Sequence, residues 1–114
     1  MPLIGTERQA AADFIKGRGN FVGIAKAAQS DSATPTQEAT YTSGNRVAST
    51  LTSGSGGSVT GSAVVLNVAA GTYTHGLIAS AATGNVMLAY AALSPSIVLN
   101  AAGQAVITPS ITVT

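Results

Sequence analysis

The sequence predicts a mainly β domain, an antiparallel sandwich or barrel, with one short α-helix at its N-terminal end. Three observations lead there. From Gly44 onward, short apolar or alternating runs are separated at close intervals by Gly, Ser, Asn and Ala turns, the rhythm of successive hairpins. Near the start lies a single Ala-rich stretch with helical spacing. The 114 residues are 46% apolar, with a mean hydropathy of +0.37, which is ample for one packed core and rules out a disordered chain.

The helix is expected over about residues 7–16. Thr6 and Gln9 have the spacing of a capping box, in which each side chain satisfies the other residue's free backbone N–H. Ala10, Ala11 and Ala12 are strong helix formers, and Ala11, Phe14 and Ile15 fall on one face. That apolar face packs on the β domain or docks onto a neighbour. Gly17 and Gly19 supply the stop, since glycine enters the left-handed conformation cheaply. Phe21–Ala25 is a first strand, and residues 28–43, rich in Gln, Ser, Asp and Thr with Pro35, form a long polar loop or arm. A bare loop of that length is expected either to be functional or to gain its order from a neighbour.

Strands follow over 45–52, 58–69, 74–81, 86–93, 97–99 and 105–114. In the second, Val64, Leu66 and Val68 alternate with Val65 and Asn67, so one face is buried. Ser94-Pro95 breaks one strand, and Pro109 pushes the last towards a sheet edge. The chain divides into an N-terminal segment, residues 1–20, and a β domain, residues 21–114, that includes the polar arm.

Charge is scarce and segregated. Charged residues are 8% of the chain, against a usual share of roughly 25%, and five basic groups nearly balance four acidic ones. All nine lie between Glu7 and Arg46; none occurs from Val47 to Thr114. Arg8, Lys16, Arg18, Lys26 and Arg46 are too few and too scattered for a phosphate backbone, so no nucleic-acid partner is expected. The apolar runs are too short to span a bilayer, and the start lacks the pattern of a secretory signal, so no membrane partner is expected either. A surface normally mixes charges of both signs. A stretch without any points to a surface that faces other protein.

Catalysis finds little to work with. Glu7, Asp13, Asp31 and Glu38 sit on the helix and the arm, and no carboxylate follows position 38 to orient His75 against a serine. Cysteine is absent and there is one histidine, so a metal site within one chain lacks ligands. A histidine from each of several copies around a symmetry axis is the remaining arrangement. Gly54-Ser55-Gly56-Gly57 has no Gly-Lys-Ser/Thr ending and no helix after it, so it reads as a hairpin turn rather than a phosphate loop. Tyr73 and Tyr90 are candidates for a sugar-stacking platform, or for packing in the core or at an interface. No enzyme activity and no cofactor are expected. The interface candidates are Phe14, Ile15, Pro35, Tyr41, Tyr73, His75 and Tyr90.

Several segments resemble small virion proteins of tailed phages of actinobacteria. These are Met1-Pro2-Leu3-Ile4-Gly5-Thr6 before an Ala-rich helix, Gly54-Ser55-Gly56-Gly57-Ser58-Val59-Thr60-Gly61, Ala70-Gly71-Thr72-Tyr73-Thr74-His75, Ser80-Ala81-Ala82-Thr83-Gly84 and Ala91-Ala92-Leu93-Ser94-Pro95. The resemblance implies a structural role in the phage particle: a head decoration (cementing) subunit, or a minor tail or tail-fibre protein. It also implies a homo-oligomer whose partners are copies of itself and a major capsid or tail protein. On that reading the 28–43 arm is cut readily in free protein and protected in particles.

Overall fold

In the computed structural model, which describes residues 1–114, the chain is mainly β, with one N-terminal helix and antiparallel sheets. Helix α1 spans Gly5–Arg18 and is followed by β1 (Phe21–Ala25). After the arm come β2 (Tyr41–Ser43), β3 (Val47–Ala48), β4 (Leu51–Ser53), β5 (Ser58–Gly61) and β6 (Val64–Val68). The chain ends with β7 (Gly71–Ala79), β8 (Met87–Leu99), β9 (Gly103–Ile107) and β10 (Ser110–Thr112). They form a four-stranded sheet β3-β1-β7-β8 and two three-stranded sheets, β2-β6-β9 and β10-β5-β4.

The four-stranded sheet packs face to face on β2-β6-β9, giving the sandwich. Val22 and Ile24 of β1 and Tyr73 of β7 meet Val64, Leu66 and Val68 of β6 and Ala105 and Ile107 of β9 in one cluster. The alternation expected for Val64, Leu66 and Val68 is thus an inward face. Burying a Val, Leu or Ile side chain contributes roughly 1.5–3 kcal/mol, so this cluster is the main source of stability. A smaller cluster joins Ala25, Leu77, Ala79 and Met87.

Several expected strands are divided. The 45–52 strand becomes β3 and β4, parted at Ser49, whose buried hydroxyl donates to the Ser62 carbonyl at 2.7 Å. The 58–69 strand splits into β5 and β6 because its halves join different sheets. The closing strand parts at Pro109, which has no N–H to give a ladder, and leaves β10 as an edge. Ser94-Pro95 does not end β8. Instead Leu93–Ser96 bulge out opposite Thr74, since Tyr73 pairs with Ile97 and His75 with Ala92.

Six strands lie at sheet edges. Five of them are five residues or shorter: β2, β3, β4, β9 and β10. The sixth is β8, where the ladder is interrupted at Leu93–Ser96 and again at Leu88.

The helix departs from expectation in three ways. It starts at Gly5 with Ile4 as N-cap and no side-chain capping bond, so Thr6 and Gln9 do not form a capping box. Gly19 is extended, at φ 171°, rather than left-handed. A Cβ there would lie 2.5 Å from the Ser80 Cα, so close approach to the β7–β8 loop is what demands glycine. The Ala11, Phe14 and Ile15 face does not pack on the β domain as a unit: Phe14 is 69% exposed and Ile15 half-buried. The docked face is polar. The Gln9 Oε1 accepts from the N–H groups of Gly57 and Ser58, both at 3.0 Å, while its Nε2 donates to the Ser58 carbonyl at 2.9 Å. Arg8 donates to the Gly56 carbonyl at 2.9 Å, Lys16 to the Ser53 hydroxyl at 2.8 Å, and that hydroxyl to Asp13 at 2.6 Å. The reason is what the β4–β5 hairpin offers: its turn, Gly54–Gly57, presents backbone N–H and C=O groups rather than side chains, and Gly57 sits at φ 107°. Beneath these bonds Ala12 and Val59 are fully buried.

Removing the Gln9 amide abolishes its three bonds to the hairpin and its bond to the Asp13 carboxylate, each worth a net of about 1 kcal/mol or less. Gln9→Ala is therefore expected to lower stability by about 2 kcal/mol and to speed amide hydrogen exchange at Gly57 and Ser58, while the β6 amides keep their protection. Denaturant titration with residue-resolved exchange checks both.

Candidate functional site

The strongest polar constellation in the fold surrounds Arg46, which is 5% exposed. It stands just before β3. Its Nε donates to Glu38 Oε2 and its Nη2 to Glu38 Oε1, each at 2.7 Å, a two-pronged guanidinium–carboxylate pair. The Nη2 also donates to the Gly84 carbonyl at 2.8 Å, and the Nη1 to the Ala81 carbonyl at 3.2 Å. The Tyr41 hydroxyl donates to Glu38 Oε2 at 2.6 Å and accepts from the Ile24 N–H at 3.3 Å. Gly23 makes the room: a Cβ there would meet the Tyr41 Oη at 2.5 Å and Glu38 Oε2 at 2.8 Å. One guanidinium therefore ties together the arm, β1, β2 and the β7–β8 loop.

The electrostatics follow from this packing. Burial, then the hydrogen bond to Glu38, pushes the Tyr41 hydroxyl well above its ordinary pKa. The bond to Glu38 raises Arg46 in turn, against the opposing cost of burial. Burial also raises Tyr73. In Asp13 the hydrogen bonds from Ser53 and then Gln9 hold the carboxyl below its usual range. Every polar atom of the Arg46 cluster points at another group of the chain, so the cluster holds the fold together and leaves no free acid or base for a substrate.

The arm is corrected by the same geometry. Rather than a bare segment, it is a closed loop. Gln29 donates to the Ala27 and Thr36 carbonyls and accepts from the Thr36 N–H at 2.7 Å. The Lys26 N–H bonds the Gln37 carbonyl, the Ala39 N–H the Ile24 carbonyl, and the Met87 N–H the Ala33 carbonyl. Within one chain, then, the loop already has hydrogen-bonded order.

The other candidates are dispersed. Tyr73 is fully buried in the sandwich core, its hydroxyl bonded to the Ala69 carbonyl, so it offers no face to a sugar or a neighbour. Tyr41 is half-buried in the Arg46 cluster and Pro35 half-buried in the arm. His75 is half-buried, with its Nδ1 2.9 Å from the Thr74 hydroxyl, and no group of three His, Cys, Asp or Glu side chains surrounds it or lies anywhere in the fold. Tyr90, 47% exposed, borders an apolar groove of about 250 Å³ between β7–β8 and the Ile107–Ser110 turn. Leu77, Leu93, Ile107 and Pro109 also line it, and it carries no Asp, Glu, Lys, Arg or His. The sequence did not mark this groove, because its walls come from strands far apart in the chain. No helix is long and apolar enough to cross a membrane.

The chain matches no protein-family model, no curated protein and no solved structure.

Glu38→Ala is expected to leave the Arg46 charge buried without its partner and to lower stability by about 3 kcal/mol. Adding Arg46→Met should recover part of that loss; denaturant titration of both variants checks it. For the raised tyrosines the sign is fixed by linkage. Above the ordinary value of 10.0 the unfolded chain loses its Tyr41 proton while the folded chain keeps it. Stability should therefore fall as pH rises past about 10. Tyr41→Phe should flatten this slope without removing it, because Tyr73 shifts the same way; thermal unfolding from pH 8 to 11 measures it.

Proposed function

We propose that this chain is a noncatalytic structural subunit of a phage particle, a decoration protein that cements the exterior of the head. The observation that carries the proposal is the distribution of charge. Strands β3 to β10 and their connections contain no Asp, Glu, Lys or Arg, yet they supply most of the sandwich and much of its exposed surface. Bringing such a surface against another protein desolvates hydroxyls and small apolar groups, without the larger cost of burying unpaired ions. Repeated contacts of this kind stabilise each copy by mass action.

Three further features support the reading. The Arg46 cluster is self-satisfied, the apolar groove lacks acid–base groups, and the segments named in the sequence resemble small virion proteins. Burial of Tyr73 removes half of the two-tyrosine platform on which a glycan-binding alternative depends.

Cryo-electron microscopy of the phage particle that carries this chain is the direct test. Density for the sandwich on the outer face of the head lattice is expected. Density confined to the tail would overturn the decoration assignment in favour of a minor tail or tail-fibre role, and its absence from particles would overturn the virion reading altogether.

A further inference from the structure

The outward face of α1 has a pattern that its docking does not use. At 3.6 residues per turn, Glu7, Ala11, Phe14 and Arg18, spaced four, three and four apart, fall on one narrow stripe. That stripe lies opposite Gln9, Asp13 and Lys16, which bond to the β4–β5 hairpin. Phe14 is 69% exposed, more than Tyr90 at 47%. Glu7 and Arg18 are exposed too, and Arg46–Glu38 is the one ion pair in the chain, so neither has an internal partner. An acid in the first turn and a base in the last suit the helix dipole. The dipole does not explain a phenyl ring in water between them.

The stripe is complementary to its own reversal. Running the helix backwards places Glu7 where Arg18 stood and Ala11 where Phe14 stood. We propose that α1 is a self-association surface, on which a second copy of this chain packs its own α1 antiparallel across a twofold axis. Each Phe14 then covers Ala11 of the second copy, large against small, which lets the helix axes approach closely. Each Glu7 meets Arg18 of the second copy, so both ends of the contact gain an ion pair of opposite sign. A second copy is the occupant because charge order and side-chain size match only when the same stripe is inverted, the self-complementarity that an isologous contact requires.

The contact is small. A helix of 14 residues is about 21 Å long, and one such pair buries less than the roughly 800 Å² per partner of a standard interface. Association of the free chain is therefore weak, and it becomes effective where neighbouring anchor points hold copies at millimolar effective concentration. In that use the inference rests on the assembly reading above; the dimer itself does not.

Sedimentation velocity of the full chain from micromolar to millimolar concentration, at low salt, tests it. A reversible monomer–dimer equilibrium is expected, at least tenfold weaker in Phe14→Asp, whose circular dichroism should match the parent because the ring is exposed. Glu7→Arg alone and Arg18→Glu alone should each associate severalfold more weakly. An equimolar mixture of the two should recover association, because every Arg in the stripe of one chain then faces a Glu in the other. A parent chain that stays monomeric at millimolar concentration, a dimer indifferent to Phe14→Asp, or a mixture no tighter than its components would each overturn the inference. Particle incorporation separates the two readings: a Phe14-dependent dimer absent from particles defeats only the assembly reading, and a strictly monomeric chain found on particles defeats only this one.

Discussion

The burial of the Arg46 guanidinium is the constraint that organises the molecule. A buried cation is tolerated only where its donors are met, and here they are met by Glu38 and by the Ala81 and Gly84 carbonyls. Those groups come from the arm and from the β7–β8 loop, two segments with few apolar residues to fix them. The hydrogen bonds supply what packing does not. The same constraint reaches β1, where only a residue without a Cβ leaves space for the Tyr41 hydroxyl and the Glu38 carboxylate. One charged side chain thereby determines the conformation of segments that hydrophobic burial alone would leave loose.

Local signals in the sequence were enough for some elements. The Ala-rich stretch became α1, the Phe21–Ala25 run became β1, and the alternation at Val64, Leu66 and Val68 became the inward face of β6. These depend on propensity and periodicity within a few residues. What the sequence concealed depends on distant partners. Gln9 has the spacing of a cap, but a hairpin 48 residues further on competes for its amide and wins. Residues 28–43 look like a bare arm because Gln29, Glu38 and Arg46 close it through side chains whose pairing has no periodic signature. Tyr73 and Tyr90 are alike in composition, yet one lies in the core and the other at a groove. Phe14 was visible as an apolar helical position; which way it points follows from the polar character of the surface that α1 docks against.

Spatially, the segregation of charge along the chain becomes a division of labour. Arg8, Asp13 and Lys16 on the helix bond to the hairpin, and the buried pair fastens the arm. The sandwich strands between Val47 and Thr114 rely on Val, Leu, Ile and Ala inside, and outside they present Ser, Thr, Asn and Gln together with exposed apolar side chains such as Val65, Val98 and Val106. Such a surface carries little electrostatic repulsion towards another copy and little desolvation cost towards a neighbour. These properties suit a subunit that works by being packed among others.

The edges of the sheets add a restriction on how crowded copies can meet. A long open strand at high local concentration recruits further chains by backbone hydrogen bonding, the route to cross-β fibrils. Here five edges end within a few residues and the β8 ladder is interrupted by Leu93–Ser96. Backbone templating is therefore cut short wherever it starts, and copies brought together at high density meet as intact folded bodies, by side chains, rather than by growing into a filament.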